Sequence, residues 1–173
     1  MFEQLNVLAA KEGWPTKFDP LLNFEHPKLR ALLDLWREKA GDGVPVRVSF
    51  DMRSLKPFLP HVLILEREGE GNARRFRFRL FGSALQLLFG EHTGRYLDEM
   101  VSAQMLPSWT TTYGAVLTAR QPLRILTRFR IASAEFLEGE ILAAPMSSGA
   151  GAVDQILAAT YVDTKNLVLP QFE

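Results

Sequence analysis

Any chemistry in this chain has to come from three histidines, a few paired carboxylates, a serine pair and a run of arginines, because the sequence holds no cysteine. His26, His61 and His92 are scattered, and none stands in a His-Glu-x-x-His or other metal-ligand spacing. His26 precedes Pro27 and reads as a cap or surface residue at a helix entrance. His61 follows Pro60 at the start of a strand and reads as structural. Asp98-Glu99 and the pair Glu138 and Glu140 have the residue types for acid–base work. Each reads more simply, as a helix-end charge and as solvated strand charges. Ser147-Ser148 precedes Gly149 in a turn and lacks the Gly-x-Ser-x-Gly setting of a nucleophile elbow. No Gly-x-Gly-x-x-Gly or Walker-type loop is present. No catalytic residue and no metal site is therefore assigned, and the chain is not expected to be an enzyme.

The arginines raise a different question. In "RRFRFRLFGSAL", Arg74 to Leu85, arginine alternates with an apolar residue three times. In a strand, Phe76, Phe78 and Leu80 would point one way and Arg75, Arg77 and Arg79 the other. A second set repeats the pattern, with Ile125, Phe129 and Ile131 against Arg124, Arg128 and Arg130. Glutamates recur in residues 62–68 and 135–140, so cross-strand Arg–Glu pairs on a solvent-facing sheet would neutralise both. Each such pair contributes about 0–1 kcal/mol. A nucleic-acid platform would place exposed aromatics among the arginines, but the period of two sends the phenylalanines to the opposite face. Lys plus Arg and Asp plus Glu number 20 each, a zero net charge, and a nucleic-acid binder carries a basic excess. No nucleic-acid partner is expected. A cover for the ladder, by an N-terminal helix or a second subunit, stays open.

The elements that position these residues follow from pattern and punctuation. The 173 residues suffice for one domain with a real core. Residues 1–25 read as an N-terminal extension, with Phe2, Leu5 and Leu8 at helical spacing until Gly13, Pro15 and Pro20. "HPKLRALLDLWREKAGDG" predicts a flanking helix within 26–42, opened by Pro27 and closed near Gly41 or Gly43. Its apolar stripe is Leu29, Leu32, Leu33 and Trp36. "HVLILERE" and "RRFRFRLF" predict a hairpin across "GEGNA". "SALQLLFG" predicts a short helix with Ser83 as cap. "EHTGRYLDEM" predicts a loop and one turn of helix, and 102–119 a weak helix with Trp109, Tyr113 and Val116 on one face. Three strands close the chain, the last ("VDQILAATYV") small and apolar enough to sit centrally. The fold class is α+β with an antiparallel sheet. No apolar run approaches the roughly 20 residues that span a bilayer, and the start lacks a signal peptide's basic n-region. A cytoplasmic protein with no membrane partner is expected.

This order of elements resembles the PAS domain, more narrowly the alphaproteobacterial single-domain group called PAS_5. The resemblance is carried by "DLWREKAGDGVPVRVSFD", "LKPFLPHVLILERE", "RFRFRLFGSALQLLFGEHTGRYLDEM", "ARQPL" and "ILAAPMSSGAGAVDQILAATYV". It runs from about residue 26 to 163. The Gly90 to Gly94 loop matches the family's Gly-x-x-x-Gly, while Glu91-His92 stands where an Arg-Asp pair is commoner. The resemblance implies a PAS fold over 43–165, with 166–173 a C-terminal tail. It implies a five-stranded antiparallel sheet with short helices over one face, around a small cavity. It also implies a sensory or regulatory module that binds a small apolar or amphipathic ligand or a protein partner, with a ligand-free interaction scaffold as the alternative. The inward parity selects Phe78, Leu80, Leu88, Trp109, Tyr113, Phe129 and Ile141 as pocket candidates. A homodimer is expected through Leu29, Leu32, Leu33 and Trp36, which must be buried against something; a signalling protein is a further expected partner. The cofactor is left unknown. Without cysteine a cysteine-linked flavin or chromophore is impossible, and His92 reads as a surface-loop residue rather than a haem ligand.

Overall fold

The computed structural model describes residues 1–130, 136–149 and 151–163. Ile131, Ala150 and the tail 166–173 thus lie outside the described residues. The framework is an antiparallel sheet of β1 (Thr16–Asp19), β2 (Val62–Glu68), β3 (Arg75–Phe81), β4 (Leu123–Arg130), β5 (Phe136–Ser147) and β6 (Val153–Val162). The strands lie in the order β1-β4-β5-β6-β2-β3. β6 is central, as its composition predicts: Ile156, Leu157, Ala158 and Ala159 are fully buried, so both its faces meet protein. Small residues there let helices approach the sheet from either side.

Two separate cores result. On the front face Leu63, Leu65, Ile125, Ile141 and Ile156 pack beneath α4 (Ser83–Phe89), α5 (Leu97–Met100) and α6 (Leu106–Ala119), with α1 (Glu3–Glu12) closing one side. On the back face Ile64, Leu142, Met146 and Leu157 pack beneath α2 (Pro27–Ala40) and α3 (Met52–Leu55). The sequence places helices over one face only; the flanking helix covers the other. Leu29, Leu32, Leu33 and Trp36 are 0, 0, 4 and 6% exposed within this single chain. Trp36 Nε1 also donates to Pro145 O at 2.9 Å. This corrects the expected dimer surface. The stripe does need burial, and the chain's own sheet supplies it.

The described sheet has six strands rather than five. The additional one, β1, comes from the N-terminal extension and pairs with β4 from Thr16↔Thr127 to Asp19↔Arg124. Four residues between Pro15 and Pro20 are too few for an alternation to register in the sequence. The outer edge of β1 is closed by Asn6 of α1. Its Nδ2 donates to Phe18 O at 2.8 Å, and Phe18 N donates to Asn6 Oδ1 at 2.9 Å. The side-chain amide thus fills the place of the next strand and blunts a bare edge.

β3 carries a bulge. Leu65 faces Phe78 and Ile64 faces Leu80, so Arg79 is the extra residue. Past the bulge the parity inverts: Phe76, Phe78 and Phe81 enter the front core, while Leu80 joins the back one. Gly82, not Ser83, is the cap of α4. The weak α6 is held by packing and by hydroxyls turned onto its own backbone: Thr112 Oγ1 donates to Ser108 O at 2.8 Å and Thr110 Oγ1 to Leu106 O at 3.0 Å.

Candidate functional site

Between the front helices and the sheet lies a small, partly closed cavity of about 60 Å³. Strands β2 to β6 supply its floor: Leu63, Phe78, Phe81, Phe129, Ile141 and Thr160. Helix α4 gives Leu85 and Phe89, α5 and the next residue give Leu97, Met100 and Val101, and α6 gives Trp109 and Tyr113. Five of the seven sequence candidates therefore meet around one space. Leu80 does not, because the bulge turns it to the back face. Leu88 does not either: Leu85 and Phe89, four apart, present the inner face of α4, and Leu88 is half-buried beside it. The residues the sequence missed are mostly on α4 and α5, one or two turns long and too short for a periodic signal. Phe81 was hidden by the bulge. Thr160 was hidden by its polarity, although the last strand's period of two from Ile156 and Ala158 points to it.

The lining is largely aromatic. Trp109 stacks on Tyr113 at 5.7 Å between ring centres and on Phe129 at 6.2 Å, nearly parallel to the latter. Phe89 meets Phe129 edge-on at 5.2 Å, and Phe78 meets Phe81 at 5.1 Å. Phe129 finds room because its cross-strand neighbourhood holds Gly139, where a Cβ would come within 2.6 Å of the ring. Three polar groups reach this wall: Trp109 Nε1, Tyr113 Oη and Thr160 Oγ1. Their residues are 8, 4 and 3% exposed. Burial pushes the Tyr113 hydroxyl pKa up, so it stays a neutral donor at any ordinary pH. His92 adds a fourth polar group beside the lining. Its Nε2 contacts Phe89 O at 2.7 Å, its ring lies against Phe81 at 5.4 Å, and its Nδ1 is buried without a partner.

The ladder arginines lie outside the cavity lining. Arg79 pairs with Glu66 at 2.5 Å and Glu68 at 2.9 Å, and Arg128 with Glu138 at 3.4 Å, as cross-strand pairing predicts. Arg75 and Arg77 reach further. Their guanidinium carbons stand 3.6 and 4.5 Å from the ring centre of Tyr96, at the entrance of α5. This stack has no signal in either segment alone.

Behind the sheet, Arg124 anchors α2. It is 7% exposed and pairs with Glu140 at 2.6 Å and Asp19 at 3.2 Å. The Glu140 carboxylate also accepts Glu25 N at 2.9 Å and His26 N at 2.8 Å. Burial raises the Glu140 pKa, but those N–H groups and Arg124 outweigh it and hold the carboxyl below its ordinary value. His26 and His61 each stack on Tyr161, at 4.0 and 4.1 Å. A hollow of about 970 Å³ lies beside this junction, open on one side and walled by Lys17, Arg128, Glu138 and Glu140 among others. The front cavity is the better ligand candidate, because it is the less open of the two and mostly apolar. Among the described residues no cluster of three or more histidines and carboxylates could hold a metal ion, and no helix is long and apolar enough to cross a membrane.

The PAS_5 description of the PAS domain matches residues 24–161. Two solved structures also align with the chain. One is a tryptophan-to-alanine variant of the PAS-B domain of Drosophila melanogaster Cycle with bound glycerol, at 17% identity and TM-score 0.42, covering 58% of this chain and 99% of that one. The other is an RNA-binding light-oxygen-voltage receptor, at 12% identity and TM-score 0.48, covering 85% of this chain and 38% of that one. Comparison with curated proteins finds no match.

Proposed function

The chain belongs to the PAS domain family, and from that premise we propose that it is a sensory module whose front cavity takes a small amphipathic ligand. In this reading it performs no reaction of its own. It passes its bound state to a second copy or a signalling protein in the cytoplasm, through a surface other than the buried stripe of α2. The observation that carries the reading is the polar edge of an otherwise apolar cavity: Trp109, Tyr113 and Thr160 line it, and His92 beside it holds a buried Nδ1 without a partner. Buried polar groups ordinarily find partners, and a filled core has no use for one that does not. A ligand with an apolar body and one or two polar atoms would satisfy that edge.

The size of the cavity favours a second reading. A dry cavity of about 150 Å³ is what a benzene-sized guest needs, and drug-sized ligands occupy roughly 300 Å³ or more. At about 60 Å³ the space holds little beyond ordered water as it stands. An interaction scaffold with a nearly filled core fits that value. The ligand reading requires the wall to yield, and Phe89, Met100 and Val101, all half-buried, are where it is thinnest.

Thermal unfolding with phenol and with indole separates the two. The ligand reading expects a rise in Tm that grows with probe concentration. The rise should be lost in Tyr113→Phe or Thr160→Val, each of which takes one hydroxyl away. No rise with either probe, or the same rise in the variants, would leave the scaffold reading.

A further inference from the structure

The arginine ladder is more elaborate than pairing on a solvated sheet requires. Arg75 Nε and Nη2 each donate to one oxygen of Asp98 at 2.7 Å, a two-point pair. Asp98 sits in the first turn of α5. Tyr96 Oη donates to Glu68 Oε2 at 2.9 Å and accepts from Arg77 Nη2. The backbone joins in: Phe78 N donates to Arg95 O at 2.8 Å and Gly94 N to Phe78 O at 2.7 Å. The free edge of β3 is thereby occupied by the segment that enters α5.

That same segment is a wall of the cavity. Leu97, Met100 and Val101 line it, and a helix of four residues has no stability of its own. What keeps α5 in place is its apolar side within and the ladder without. The geometry points to a latch: Arg75, Arg77, Tyr96 and Asp98 hold α5 shut over the cavity, and its release is the route by which the cavity opens to a ligand. This rests on the ligand reading above, and it accounts for a resting volume too small for a guest. Salt weakens such a latch, because the Arg75 and Asp98 side chains are 45 and 29% exposed.

Hydrogen exchange on the whole chain tests it. The variants are Arg75→Gln and Tyr96→Leu, with Arg128→Gln as control. Arg128 is a strand arginine of the same kind but pairs with Glu138 of β5, away from Tyr96 and Asp98. The amides of 97–101 should exchange several-fold faster in the first two variants, with β5 and β6 unchanged and Arg128→Gln like the parent. Unchanged exchange over 97–101, or equal acceleration by Arg128→Gln, overturns the latch. Should either variant loosen the whole fold, the parent protein at about 0.05 and about 0.5 M sodium chloride supplies the comparison. Acceleration confined to 97–101 then supports the latch, and its absence refutes it. Phenol and indole added to the loosened variants separate the two proposals: faster exchange without any binding leaves the latch standing and removes the ligand.

Discussion

At the entrance of α2, His26 uses Nδ1 to accept the Lys28 N–H at 3.1 Å, a helix cap made by a titratable ring. Burial lowers its pKa below the ordinary 6.5. Glu140 opposes that shift, while His61 and Lys28 reinforce it; Glu25 and Tyr161 complete the surroundings. The unfolded chain therefore takes up this proton at higher pH than the folded one. The contribution of His26 is intact above about pH 6.5 and is lost as pH falls through that value and then through the lower folded one. Glu140 and Asp19, both held below their ordinary values, add a second loss at more acidic pH. His26→Asn keeps a cap that does not titrate. Urea midpoints between pH 5 and 8 should decline in the parent and stay flatter in the variant; parallel slopes would show that His26 is not the sensor. The cap was legible in the sequence because Pro27 follows it. Leu80 was misplaced because the bulge at Arg79 is set by cross-strand register, which a single strand's alternation does not encode. Gly82 marked the end of the strand, but not its tightness: a Cβ there would come 2.6 Å from Leu59 O and closer still to Pro60 O. Gly82→Ala is expected to destabilise the fold by about 3 kcal/mol, at the upper end for overpacking, read from chemical denaturation. A loss below half that would mean the Leu59–Pro60 turn can retreat.

Among the elements, α2 shows how far pattern reading carries. Its limits, Pro27–Ala40, and its stripe came from spacing alone, and both hold. What the stripe faces depends on which side of the sheet the chain crosses, and no local residue reports that. Leu33→Asp would make a folded monomer if the helix were an interface. Buried under the sheet, it is expected to lose about 4 kcal/mol or more. A folded, stable variant of altered subunit number would restore the interface reading. The Arg124–Glu140 pair ties the same helix to β4 and β5. Glu140→Gln leaves a buried arginine with Asp19 at 3.2 Å and the exposed Glu25 at 4.0 Å, and should lower stability by about 3 kcal/mol, again by denaturation. A loss under about 1 kcal/mol would show the pair to be no more than a surface contact. β1 escaped the sequence because it is four residues long and is defined by its neighbours, β4 and Asn6; α5, equally short, was legible as one turn of helix in "EHTGRYLDEM", but its tie to the arginine ladder was not.

For the molecule as a whole, both faces of the sheet are covered, and the two cores differ. The back core is sealed by a long helix and a buried ion network. The front core is roofed by α6 and by α4 and α5, the last two only one or two turns long, around a small space with polar side chains in its wall, which is where local opening is easiest. Fold class, strand centrality and five of the seven lining candidates were readable because they rest on periodicity. The volume of the space was not, since it depends on how rings stack and on a single glycine, Gly139, against the Phe129 ring. The most direct test of a ligand-responsive front cavity is native mass spectrometry of freshly purified protein against its denatured mass. The account predicts extra mass that disappears on denaturation and is absent from Tyr113→Phe or Thr160→Val. A bare mass in the parent protein, still bare after incubation with phenol or indole, would contradict it and leave a packed interaction module.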